Sequence, residues 1–131
     1  MDEQAIRTWF ATLAQCVNNT DFATGRTLFA DDIVSFGTWT TLMHGLEHYA
    51  TQQWANVWPN VQNFRFHDDM HIRIVGDTAW AVATWDSEGI EADGSTFDRP
   101  GRTTMILEKR GGKWLGVHSH FSLYPKAALK A

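Results

Sequence analysis

Cysteine is nearly absent: Cys16 is the single one in 131 residues, so no internal disulfide can form and the chain suits a reducing compartment. Cys16 falls within a helical pattern with no histidine near it in sequence, which marks a small buried apolar residue rather than a nucleophile. Positive charge is also short. Eleven Lys and Arg stand against fifteen Asp and Glu, and the net charge of −4 offers no general attraction to phosphate backbones or anionic membranes. Nucleic acid and membrane are therefore not expected as partners. After the acidic start MDEQ no apolar run reaches the length of a signal or a membrane span, so the expected location is cytoplasmic. Repeats, linkers and low-complexity tracts are missing as well, which leaves one domain over 1–131.

What is present is a globular composition: 44% hydrophobic residues with seven Trp and eight Phe, and a charged fraction of 20%. Ile6, Trp9, Phe10, Leu13 and Val17 recur at helical spacing, predicting a helix from Glu3 to Val17 that Asn18-Asn19 ends. Thr20 is the expected N-cap of a short second helix carrying Phe22, Leu28 and Phe29, closed by Asp31-Asp32 before an extended run from Ile33 to Trp39. Gly45 opens a third helix whose inward stripe is Leu46, Tyr49, Ala50, Gln53, Trp54, Val57 and Trp58, and Pro59 stops it. Gln53 is the strongly polar member of that stripe.

From Asn63 onward the pattern is extended: Phe64 to Val75, Ala79 to Glu88, then a terminal hairpin from Gly101 to Pro125. Turn length decides which side chains share a face. A three-residue loop Gly76-Asp77-Thr78 groups Ile74 with Trp80 and Ile72 with Val82. It carries Thr84 and Asp86 inward and Ala79, Ala81, Ala83 and Trp85 outward. At the second turn a two-residue Gly-Gly loop would set Met105 against His118 and Leu107 against Gly116. A three-residue loop Arg110-Gly111-Gly112 pairs Lys109 with Lys113 and groups Leu107, Leu115, Met105 and Val117, and is preferred. Thr103, Ser119 and Phe121 then continue the inner face, while Arg102, Thr104, Trp114, His118 and His120 fall on the outer one. The stretch Glu88 to Gly101 is expected to be an irregular loop.

LFADD at the end of the second helix, Gly45, VGDTAW at the strand turn and RTTMILEKRGGKWLGVHSHFS together resemble the nuclear transport factor 2-like superfamily, above all its SnoaL-like and ketosteroid-isomerase-related domains. The terminal segment is also similar to the association domain of calcium/calmodulin-dependent protein kinase. The resemblance implies an α+β, cystatin-like cone: three N-terminal helices packed on a curved antiparallel sheet enclosing a pocket, with a second subunit on the outer sheet face. Carried over by position, it implies a pocket lined by Leu13, Gln53, Val82, Thr84, Asp86, Thr103, Met105, Val117, Ser119 and Phe121. Tyr49 and Val57 join from the third-helix stripe, and Trp9 and Trp54 form an aromatic wall. In the isomerases the strand after the second helix carries a catalytic Asp, and a tyrosine and an acid form the oxyanion hole. The matching positions here are Gly37, Leu13 and Thr103, so steroid isomerisation is not expected.

Asp86 is the one carboxylate placed on the inner face. Desolvated there it would suit a general base; at the rim it is a solvated or Arg-paired acid. Gln53, Thr84, Thr103 and Ser119 either orient a ligand's oxygen atoms or hydrogen-bond one another. His118 and His120 point the same way from one strand, yet no third ligand stands at a dependable spacing, so no metal is expected. With Arg102, Trp85 and Trp114 they read instead as a homodimer contact. The expected function is a pocket for a small, largely apolar, oxygen-bearing compound, without a cofactor. Turnover would be of lyase, isomerase or cyclase type with Asp86 as base. The competing class is a non-catalytic ligand-sensing or dimeric assembly module.

Overall fold

The first buried stripe is the one the helical spacing predicts: Ile6, Trp9, Phe10, Leu13, Cys16 and Val17 all turn inward from α1 (Asp2–Asn19). A computed structural model describes residues 2–125 of the chain. α2 (Phe22–Arg26) is capped by the Asp21 carboxylate, which accepts from the Thr24 backbone N–H, and not by Thr20. Thr20 instead takes a positive φ of 51° in the turn between the helices. α2 also ends earlier than expected. Phe29 already belongs to β1 (Phe29–Phe36), and Asp31 and Asp32 are exposed residues of that strand.

β2 (Leu42–His44), which the sequence did not announce, pairs antiparallel with β1. Two strands thus precede the third helical stretch, so only α1 and α2 are N-terminal to the sheet. That stretch runs as α3 (Leu46–Tyr49), a π-helical turn (Ala50–Trp54), α4 (Ala55–Val57) and a 3-10 turn (Trp58–Asn60) at Pro59. The wider π turn rephases the helix, so that Tyr49, Ala50, Gln53, Trp54 and Trp58 are all buried.

The remaining strands are β3 (Val61–Phe66), β4 (His71–Val75), β5 (Thr78–Ile90), β6 (Thr96–Asp98), β7 (Gly101–Arg110) and β8 (Lys113–Leu123). One curved sheet takes the order β2-β1-β8-β7-β5-β3, with β4 and β6 also paired to β5. All pairs are antiparallel except β1 and β8, which run parallel. The stretch expected to be an irregular loop contains β6, held to Glu88, Gly89 and Ile90 of β5.

Both turn lengths differ from expectation. Between β4 and β5, Val75 pairs with Thr78, so the loop is the two residues Gly76-Asp77. A one-residue change in the turn inverts every side chain of the strand. Ala79, Ala81, Ala83 and Trp85 are consequently buried, while Val82, Thr84 and Asp86 lie on the outer face with the half-exposed Trp80. Grouping Trp80 and Val82 with Ile74 and Ile72 fails because the small alanines, not the large residues, face the layer that holds α1.

Between β7 and β8, Arg110 pairs with Lys113 across Gly111-Gly112. Their φ values of 59° and 77° are the positive angles a tight two-residue hairpin demands. The register then slips: Leu107 faces Gly116 but Ile106 faces His118, leaving Val117 as the extra residue of a bulge. Trp114, expected outside, lies between the short turn and the bulge and is buried on the inner side. Beyond the bulge Ser119 and Phe121 still turn inward, and His118 and His120 outward.

Candidate functional site

The inner face of the sheet and the third helical stretch border a cavity of about 40 Å³. Its apolar lining includes Leu13 and Val17 of α1, Trp54, Val57 and Trp58 of the third helical stretch, Val61 and Phe64 of β3, Trp85 of β5 and Phe121 of β8. Aromatic rings fill most of the space. Trp54 stacks on Trp58 with centroids 4.5 Å apart, and Trp85 lies 5.1 Å from Phe64 and 6.2 Å from Phe121.

One end of the cavity is polar. Gln53 is buried; its Oε1 accepts from the Trp39 backbone N–H at 3.1 Å and the Thr40 hydroxyl at 3.2 Å, and its Nε2 donates to Thr38 Oγ1 at 3.0 Å. Gly37 makes this fit possible, because a Cβ there would stand 2.3 Å from Gln53 Cδ. Thr38 Oγ1 also accepts from Arg99 Nη2 at 2.9 Å. Arg99 is half-buried with its guanidinium 5.5 Å from the centroid of Trp85, and burial pulls its pKa down from the ordinary value. Among the described residues it has no ion pair. The Trp85 indole Nε1 is buried without any hydrogen-bond acceptor.

Of the residues expected to touch a ligand, Leu13, Tyr49, Gln53, Trp54, Val57 and Phe121 meet at this cavity. Trp9 is buried elsewhere, donating its indole N–H to the Leu28 carbonyl at 2.9 Å. Met105 is core, Val117 is the bulge residue, and Thr103 donates to the His120 carbonyl at 3.0 Å. Ser119 is fully buried, with its Oγ 2.8 Å from Tyr49 Oη and 3.1 Å from Ser35 Oγ, so these hydroxyls satisfy one another. Burial pushes the Tyr49 phenol up to about 12.

Val82 and Thr84 are not at the cavity: both border an open groove on the outer sheet face, where Thr84 donates to Asp69 Oδ2 at 2.5 Å. Asp86 also lies outside it. Its half-exposed carboxylate sits 3.1 Å from His67 Nε2 and 3.7 Å from Arg65 Nη2, the paired, solvated setting of an acid at the rim. Of the expected dimer face, Trp85 and Trp114 are buried, at 1% and 6% exposure. Arg102 and His120 are exposed on the outer sheet face, beside the half-buried His118, whose Nδ1 is 2.7 Å from the Val34 carbonyl oxygen.

Thr38, Trp85 and Arg99 were not legible as site residues. Arg99 and Thr38 lie in connections with no period, and a three-residue turn after Val75 puts Trp85 on the opposite face. The run Ala79, Ala81, Ala83 was the available signal, since small residues at period two mark the face that another layer approaches closely.

A curved sheet with helices closing an aromatic cavity is the architecture of a pocket-bearing α+β domain. The chain belongs to the SnoaL-like domain family, whose sequence profile matches residues 6–126. Its fold is shared by an uncharacterised protein with a cystatin-like fold from Caulobacter vibrioides, at 17% identity and a TM-score of 0.81 over 98% of this chain and 93% of that one. It is shared too by the association domain of C. elegans CaMKII (20% identity, TM-score 0.74, 92% of this chain and 95% of that one). A nuclear transport factor 2-like superfamily protein from Salmonella enterica is similar at 20% identity, with a TM-score of 0.80 over 94% and 91%. No curated protein matches the sequence. None of the helices among the described residues is long and apolar enough to cross a membrane.

Proposed function

We propose that this chain holds a compact, largely apolar organic molecule carrying one or two oxygen atoms. The apolar part packs against Leu13, Trp54, Val57 and Phe121, and the oxygen atoms meet the Thr38, Gln53 and Arg99 end. The observation that carries this reading is the lining of the cavity: aromatic walls with polar groups gathered at one end have the make-up of a small-molecule site, although the 40 Å³ of space is well below the roughly 300 Å³ of a formed one.

Binding without turnover is the form the geometry favours. Among the described residues that line the cavity there is no Asp, Glu or His to move a proton, and Asp86 faces away from it. Lyase, isomerase or cyclase chemistry would require a base that a ligand or a rearrangement brings in. The fold likeness to an association domain is in keeping with a non-catalytic module, and the outer sheet face, with Phe36 and Trp80 exposed at 40% and 43%, fits a homodimer contact.

A fragment screen by two-dimensional NMR tests the reading. Small aromatic and aliphatic oxygen compounds should shift resonances of Tyr49, Trp54 and Phe121, and Trp54→Ala should alter their affinities. Shifts confined to the outer face would refute the site. An Asp86→Asn variant should bind like the parent, and a 3-oxo-Δ5 steroid should remain unisomerised with either.

A further inference from the structure

The polar end of the cavity is rich in donors and poor in acceptors. A guanidinium has five N–H donors, and Arg99 directs two at neighbours, Thr38 Oγ1 at 2.9 Å and Ser87 Oγ at the long distance of 3.4 Å. The Thr38 hydroxyl already accepts twice, from Gln53 and Arg99, and its own proton meets no acceptor among the described residues. Trp85 Nε1–H, in a side chain only 1% exposed, is likewise without an acceptor. Of these groups only the Trp85 nitrogen is fully shut in; Thr38 and Arg99 are half-buried, so their spare donors are open to a ligand. No carboxylate of the described chain offsets Arg99.

We infer that the cavity takes the carboxylate of a small organic acid, held by Arg99 and the Thr38 hydroxyl. This rests on the pocket reading above and narrows it to anionic ligands. A carboxylate supplies acceptor lone pairs only, which is the complement of this donor set, and the planar guanidinium matches its two oxygens. A neutral amide presents one oxygen and adds donors where donors are already in surplus. The overall net charge of −4 repels anions in general, so any preference for an acid has to come from the local cation.

The test is an NMR titration at fixed ionic strength with two matched pairs, propionate against propionamide and benzoate against benzamide, following the Trp85 indole N–H assigned by Trp85→Phe. At least one acid should bind about tenfold or more tightly than its amide and shift that N–H signal, because the Arg99 guanidinium lies over the same ring. Arg99→Gln should make acid and amide bind alike while cavity resonances still respond to both. Arg99→Lys, which keeps the charge but loses the fork, should retain only part of the preference and serves if the glutamine variant does not fold. Acid and amide binding equally to the parent protein would overturn the carboxylate assignment and leave the pocket reading standing. An acid preference that survives Arg99→Gln would overturn it as well. No response of any cavity resonance to all four compounds would remove both.

Discussion

Tyr49 shows how one buried hydroxyl ties a helix to two strands and sets a pH limit. Its Oη meets Ser119 of β8, which in turn meets Ser35 of β1, and burial raises the phenol to about 12 against an ordinary 10.0. The unfolded chain therefore releases this proton more readily than the folded one. The contribution is fully present below about pH 10 and is lost as pH rises towards 12, at up to about 1.4 kcal/mol per pH unit. Tyr49→Phe should cost about 1 kcal/mol at neutral pH through the lost hydrogen bond. In urea denaturation the gap between parent and variant should narrow when measured at about pH 11 instead of about pH 8. A constant gap would mean that Tyr49 ionises as freely folded as unfolded. Gln53 was legible at this scale, as the one polar residue in an apolar helical stripe. Arg99 was not, because nothing in its own neighbourhood of sequence distinguishes it from a solvated loop cation.

β5 was legible as a strand but not as to which way it faces. Its thirteen residues alternate in burial, with Ala81 at 0% and Val82 half-buried on the opposite side. Ala81→Leu should overfill the space between sheet and α1 and cost about 1–3 kcal/mol, whereas Val82→Thr on the outer side should cost less than about 1 kcal/mol. Chemical denaturation decides between them, and the reverse ranking would restore the face first inferred from apolar grouping. In the β7–β8 hairpin two departures nearly cancel. The turn is one residue shorter than expected, and the bulge at Val117 returns the chain to the expected facing from Ser119 onward. Bulges of this kind answer to the curvature of a whole sheet and leave no mark in the pairing preferences of the hairpin alone.

The assembled molecule presents an outer sheet face on which Phe36, Trp80, Arg102 and His120 are exposed, with His118 between. In sedimentation at micromolar concentration a homodimer should appear at twice the mass of the chain, and Trp80→Glu should shift it to monomer without disturbing fragment binding in the cavity. A monomeric parent protein would remove the dimer. Trp85 and Trp114, which three-residue turns would place on that face, belong to the interior, because both turns are two residues long.

By itself the sequence determined the class of fold. Helical spacing in α1 and the third helical stretch, alternation in the strands and the turn glycines each constrain local structure, and together they are consistent with one arrangement of layers. The family resemblance carried by those same stretches pointed the same way. Only the tertiary structure decided which face of each strand is the inside, since one residue more or less in a turn inverts a whole strand at little local cost. It alone also brought Thr38 to Arg99, 61 positions apart, over the ring of Trp85. A site built from two connections and a strand that do not neighbour one another in sequence has no period to read, and its surplus of donors exists only once the chain has closed around it.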